Sequence, residues 1–144
     1  MEQEIALLRK TELFRDLSGE QIGKILKISK HVTFPEGEIV MREGEEGNTM
    51  YIILEGTVQV AKSLVMGDPD EEANERNKVF TRLDASDHAV FGEIVLLETT
   101  RRTATIKTVT KCRFYEMTRA SFLSLTEADH ELGYRIFLNL ARIV

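Results

Sequence analysis

The densest chemistry in this chain lies between Phe91 and Thr105. There Phe91-Gly92-Glu93-Ile94-Val95-Leu96-Leu97 is followed, after one short connection, by Arg101-Arg102-Thr103-Ala104-Thr105. The first run is too apolar for a surface loop. A glycine ahead of a single helical turn leaves the turn's first backbone N–H groups without acceptors, and with the local dipole they favour an anion. Arg102 can close such a site, because a guanidinium offers a planar fork of donors that matches two phosphate oxygens. Thr103 adds a hydroxyl donor beside it. Alternation along a strand puts neighbours on opposite faces, so the residues alone leave Arg101 as a rival for the same role.

Glu93, nine positions before Arg102 (102 − 93), is an odd partner for a bare anion, which its charge would repel. It fits if the carboxylate meets a donor elsewhere on the ligand, and a ribose 2′-hydroxyl is such a donor. Acid for sugar and arginine for phosphate together describe a nucleotide whose phosphate and ribose are held close, as in a cyclic phosphodiester. The bland alternative is a structural acid–arginine ion pair, the commoner fate of such residues.

The elements that must position these residues can be read from periodicity. Ile5, Leu7, Leu8, Leu13, Phe14 and Leu17 are apolar at near-helical spacing. Ser18 with Gln21 forms a capping-box pattern ahead of a second amphipathic helix through Ile22, Ile25 and Leu26 that is expected to end near Lys30. Residues 32–117 read as short strands: 32–34, 39–41, 50–54 and 57–61, then 79–83, 103–109 and 111–117. Turns containing Pro35, Gly37, Gly44, Gly47 and Gly56 separate the early ones. The charged stretch 63–78 reads as an exposed loop. Helical spacing returns at 120–125 and again from Asp129, an N-cap candidate, through Leu132, Ile136, Leu140 and Ile143.

Composition narrows the function classes. A chain of 144 residues, 42% hydrophobic and 30% charged, suits one domain with one core, taken here as 1–144. Nineteen Lys and Arg against 24 Asp and Glu give a net charge of −5, which argues against nucleic acid or anionic membrane as partner. The single cysteine, Cys112, excludes an internal disulfide and reads as a small buried strand residue. His31, His88 and His130 lack the spacing of a β-barrel metal site, and no catalytic triad is visible, so neither a metal nor an enzymatic activity is expected. No apolar run approaches the roughly 18 residues needed to span a bilayer, and Glu2 and Glu4 stand where a secretory signal would be basic, so the expected location is cytoplasmic.

The 91–97 run with Arg102-Thr103-Ala104-Thr105 resembles the phosphate-binding cassette of cyclic nucleotide-binding domains. Upstream, Phe34-Pro35-Glu36-Gly37-Glu38-Ile39-Val40, Arg42-Glu43-Gly44 and Tyr51-Ile52-Ile53-Leu54-Glu55-Gly56-Thr57-Val58 are similar to the opening of that family's β-roll. The resemblance implies a mainly β fold: an eight-stranded antiparallel roll over 32–117, N-terminal helices over 1–31, a short phosphate-binding helix within a cassette at 91–105, and C-terminal helices over 118–144. It implies cAMP or cGMP as ligand and no other cofactor. Gly92 would give a backbone N–H, Glu93 would take the 2′-hydroxyl, and Arg102, which only the resemblance selects over Arg101, would pair with the cyclic phosphate. Thr103 and Ala104 would complete the phosphate shell, Ile94 belongs to the same set, and Val60 and Leu83 would pack against the purine. The sequence departs from the family pattern at Ser86-Asp87-His88-Ala89-Val90, about two residues longer than the usual turn. It also departs at the enlarged 63–78 loop.

The expected function is a non-enzymatic sensor module whose terminal helices re-pack on binding, with a homodimer through the last helix or an unidentified protein partner as receiver. With the sequence stopping at Val144, a short ligand lid and no helix-turn-helix are expected. The rival expectation is a degenerate roll that binds a protein and no nucleotide. A cupin-like metal enzyme ranks last.

Overall fold

Ser18 opens the second helix as its spacing predicts: its Oγ accepts from Gln21 N while its own N–H donates to Gln21 Oε1. That helix, α2 (Gly19–Lys27), follows α1 (Glu2–Arg9) in a computed structural model that describes residues 2–63 and 78–143. α2 ends before Lys30. The Ser29 hydroxyl donates to Ile25 O at 2.7 Å, an alternative partner for the helix's last turn, and Lys30 already opens the first strand. The apolar spacing that continues from α1 to Leu17 is not one helix. It breaks into a 3₁₀ turn, Glu12–Phe14, with Asp16 in the left-handed region at φ 67°. The break is held from outside: buried Asn139 donates through Nδ2 to both Leu13 O and Arg15 O at 2.9 Å. Asn139→Ala is expected to lower stability by about 1–3 kcal/mol by leaving these carbonyls without a donor, read as an earlier urea midpoint at unchanged slope.

Among the described residues the strands are β1 (Lys30–Phe34), β2 (Ile39–Met41), β3 (Glu46–Gly47), β4 (Thr49–Glu55), β5 (Thr57–Ser63), β6 (Lys78–Asp84), β7 (Val90–Phe91), β8 (Thr100–Arg101), β9 (Thr105–Thr108) and β10 (Cys112–Thr118). Eight of them make two four-stranded antiparallel sheets, ordered β1-β10-β4-β7 and β2-β9-β5-β6, which form the roll. The remaining two, β3 and β8, pair only with each other, Glu46 with Arg101 and Gly47 with Thr100, and neither is visible as strand in the sequence. The strand expected over 103–109 starts at Thr105, because Thr103 and Ala104 form a bend. The break expected after residue 83 is a 3₁₀ turn, Ala85–Asp87, capped by Asp84. Apart from its ends, the loop expected over 63–78 lies outside the described residues.

Period-two alternation explains why β4 is apolar without interruption. Met50 and Ile52 face the helices, packing with Phe14, Ile22, Ile25, Met117 and Phe122, whereas Tyr51 and Ile53 face the roll interior with Val58, Phe91, Ile106 and Phe114. The same division explains residues 91–97: Phe91 enters the roll, while Val95 and Leu96 enter the helical layer. This segment therefore joins both cores. The helical layer is completed by α3 (Arg119–Ala128) and α4 (His130–Ile143). The Thr118 Oγ accepts from Ser121 N to start α3, and Asp129 accepts from Leu132 N to start α4. Asp129 also pairs with Lys24 at 2.9 Å, which ties α2 to the α3–α4 junction. Among the described residues no helix is long and apolar enough to cross a membrane.

Candidate functional site

Arg102 is the centre of the candidate site. Its guanidinium is buried, with the residue 9% exposed. Nη1 donates to Thr49 O at 2.7 Å and Nη2 donates to Thr49 Oγ1 at 2.8 Å. The backbone is fixed as firmly, since Arg102 N donates to Glu45 O at 2.7 Å and Arg102 O accepts from Gly44 N at 2.8 Å. The ion pairs among the described residues are Lys24–Asp129, Arg42–Glu45 and Arg113–Glu55, so Arg102 has no carboxylate partner among the described residues. Burial pushes the guanidinium down from its usual value, and Tyr51 acts weakly in the opposite sense. A guanidinium stays charged at neutral pH regardless, so the protein holds a desolvated cation on neutral partners.

Two glycines make room for that cation. Gly92, at φ 76°, follows β7 and caps the 3₁₀ turn Glu93–Leu96. A Cβ there would stand 2.9 Å from Thr49 O and 3.0 Å from Arg102 Nη1. A Cβ on Gly47 would stand 2.0 Å from Arg102 Nε and 2.3 Å from its Cζ. The opening N–H groups of the turn have no acceptor within it. Gly92, which opens the turn, is a direct neighbour of the guanidinium. Arg101 is separated from them: it is exposed, and its Nη1 donates to Gly44 O at 2.8 Å. The alternation that leaves the two arginines equivalent in sequence is resolved by the β3–β8 ladder, which faces one outward and turns the other in.

The remaining candidates are more dispersed. Thr103 is exposed at the bend and Ala104 is buried beside it. Ile94 is half-buried, and its carbonyl accepts from Leu97 N and Glu98 N. Val60 and Leu83 are half-buried on the inner face of the roll. Val60 lies opposite Ile106, Leu83 lies opposite Val58, and both pack on the roll core. Glu93 is half-buried and lines a cavity of about 220 Å³ with Lys10, Asp87, His88, Val90 and Ile143, a set that does not include Arg102. Among the described residues no group of three His, Cys, Asp or Glu side chains is arranged to hold a metal ion.

Sequence reasoning passes over Gly47, Thr49 and Tyr51. Spacing assigns Gly47 to a turn, and only its pairing with Thr100 carries it to the arginine. Tyr51 stacks on Phe91 with ring centroids 5.0 Å apart, and the Thr49 hydroxyl donates to Tyr51 Oη at 3.4 Å. The one available signal was the polar Thr49 immediately ahead of an apolar strand.

Comparison with known proteins agrees with this architecture. The sequence pattern of the cyclic nucleotide-binding domain matches residues 31–129. The chain is 31% identical over 115 residues to a cAMP-dependent protein kinase regulatory subunit of Dictyostelium discoideum, covering 80% of this chain and 33% of that protein. It is 28% identical over 136 residues to a CRP-like cAMP-activated global transcriptional regulator of Mycobacterium tuberculosis, covering 94% of this chain and 56% of that one. The chain thus spans about a third to just over half of the length of these relatives. In fold it is similar to the N-terminal domain of a transcriptional regulator from Streptomyces coelicolor A3(2), with a TM-score of 0.78 at 23% identity over 94% of this chain and 88% of that one. With the family pattern matched over well over half its length, the chain belongs to the cyclic nucleotide-binding domain family.

Proposed function

We propose that this domain binds a 3′,5′-cyclic nucleotide, cAMP or cGMP, with the cyclic phosphate on Arg102 and the turn opened by Gly92. It acts as a non-enzymatic regulatory module. The observation that carries this reading is Arg102 itself: a buried, charged fork with no carboxylate partner among the described residues, lined by Gly47 and Gly92. A desolvated guanidinium with free N–H donors has the charge and the planar fork that suit a phosphate. The names of the Dictyostelium and Mycobacterium relatives favour cAMP as the first ligand to test. Val60 and Leu83 offer apolar surface to a purine, Thr103 offers a hydroxyl to the phosphate of either nucleotide, and the Ile94 and Ala104 amides complete the shell.

Occupancy has a route to the helices. Val95 and Leu96 of the turn lie in the same core as Phe122 of α3 and Leu132, Ile136 and Leu140 of α4, the turn packing on β4 and α3, and Glu93 and Ile143 line one cavity. A turn that draws in around ligand has to shift these contacts, and the nucleotide biases the equilibrium by the difference in its affinity for the two arrangements. Tyr134, 59% exposed on α4, is available to a second copy or another protein that receives the change.

Thermal melting and calorimetry with cAMP, cGMP and 5′-AMP test the reading. A cyclic nucleotide at 100 times its Kd should add about 2.7 kcal/mol of stability, whereas 5′-AMP should leave the melting temperature near that of the free protein. Binding of no cyclic nucleotide would leave the roll as a protein-interaction module. The ribose contact is tested separately: a 2′-deoxy cyclic nucleotide should bind about 10- to 100-fold more weakly than its parent, because Glu93 loses its donor. Equal affinities would remove Glu93 from the sugar.

A further inference from the structure

Thr49 is outside the set of residues that the sequence assigns to the ligand, yet it supplies both hydrogen bonds made by the Arg102 guanidinium among the described residues. We infer that Thr49, backed by Tyr51, is a positioning residue that fixes the Arg102 fork in its anion-receiving orientation before any ligand arrives. The inference rests on the reading of Arg102 as the phosphate residue.

Geometry makes the hold specific. The two acceptors come from a single residue, O to Nη1 at 2.7 Å and Oγ1 to Nη2 at 2.8 Å, so they fix the rotation of the guanidinium plane as well as its place. A backbone carbonyl alone would leave the plane free to turn about one contact. The hydroxyl is itself oriented, because its proton goes to Tyr51 Oη and its lone pairs are left to Arg102. Tyr51 cannot drift: it is buried, stacked on Phe91 and held edge-on by Phe114 at a centroid distance of 5.7 Å. Thr49 is set by its position in β4, opposite Thr118 of β10. A guanidinium has five N–H donors, and Thr49 occupies only two of them, which leaves the others for an incoming anion. Gly47 and Gly92, by lacking a Cβ, leave the guanidinium the room to lie in this orientation. Orienting the fork in advance removes an ordering cost from the binding step, which is how a residue that does not touch the ligand raises affinity.

Two measurements on the full chain test this, and the first needs no ligand. In the free protein, slow rotation about the Arg102 Cζ–Nε bond should give distinct Nη1 and Nη2 resonances by NMR. They should merge in Thr49→Val, which keeps shape and loses the hydroxyl, and separate again in Thr49→Ser. Distinct resonances that persist in Thr49→Val would overturn the inference whatever the protein binds. The second is a double-mutant cycle read with cAMP and cGMP. Thr49→Val should weaken binding about tenfold, Thr49→Ser should restore it, and the valine effect should vanish in an Arg102→Ala background. An equal tenfold loss in that background would make Thr49 merely structural and overturn its positioning role. A wild-type protein that binds neither nucleotide would instead remove the phosphate reading beneath it, a failure the ligand-free resonances distinguish from the first.

Discussion

Arg102→Ala is expected to weaken cyclic nucleotide binding by roughly 30-fold to several thousandfold, a loss of about 2–5 kcal/mol. The size follows from what would be left behind. A phosphate drawn out of water against the Gly92 turn would lose the charged fork that pairs with it. The turn's amides alone would have to replace its hydration. The same substitution deletes the donors to Thr49 O and Oγ1, so the melting temperature should fall as well. Arg102→Lys separates charge from shape: it keeps the cation and loses the fork, and should recover only part of the affinity. Calorimetry with cAMP and cGMP on the three proteins measures all of this. Unchanged affinity in the alanine variant would take Arg102 out of the site.

The second large effect is expected at Gly47, which touches no ligand in this account. A Cβ at this position would fall 2.0 Å from Arg102 Nε, a distance that cannot exist, so Gly47→Ala must displace the guanidinium. The obstructed atoms belong to the end of a long side chain, so the arginine can swing away while the backbone stays. Binding should therefore drop by about tenfold or more with only a modest fall in the unfolding midpoint. Gly92→Ala is the control with the opposite balance. Its Cβ would press on the Thr49 carbonyl at 2.9 Å, and the residue sits at φ 76°, so that variant should lose stability first. Parallel titrations and urea curves on both variants would show the contrast. A Gly47→Ala protein that binds like wild type would mean the guanidinium does not sit where the ligand needs it.

The sequence revealed the architecture where periodicity or capping chemistry acts over a few residues. Ser18 with Gln21 marks the start of α2, and Asp129 marks the start of α4. The long strands announce themselves through β-branched runs between glycines, and the unbroken apolar run of β4 is explained by cores on both its faces. Failures occur where distant partners decide. The helical spacing through Leu17 is overruled by Asn139, 126 residues beyond Leu13. The two-residue strands β3 and β8 have no local signature at all, yet they place Gly47 against Arg102 and turn Arg101 outward. The candidate site follows the same division. Gly92, Glu93 and Arg102 stand out because glycine, acid and arginine are close in sequence. Thr49 and Tyr51 are some 50 positions away from Arg102 and come to it only through the fold.

Ligand binding requires an anion to meet Arg102 and the Gly92 turn together, and NMR titration of the isotope-labelled protein with cAMP and cGMP reads that meeting directly. The predicted result is a coordinated shift of Arg102 Nε–H and the backbone amides of Gly92, Glu93 and Ile94, saturating with one nucleotide per chain and absent with 5′-AMP. Saturable shifts confined to other parts of the molecule, with these four resonances unmoved, would contradict it.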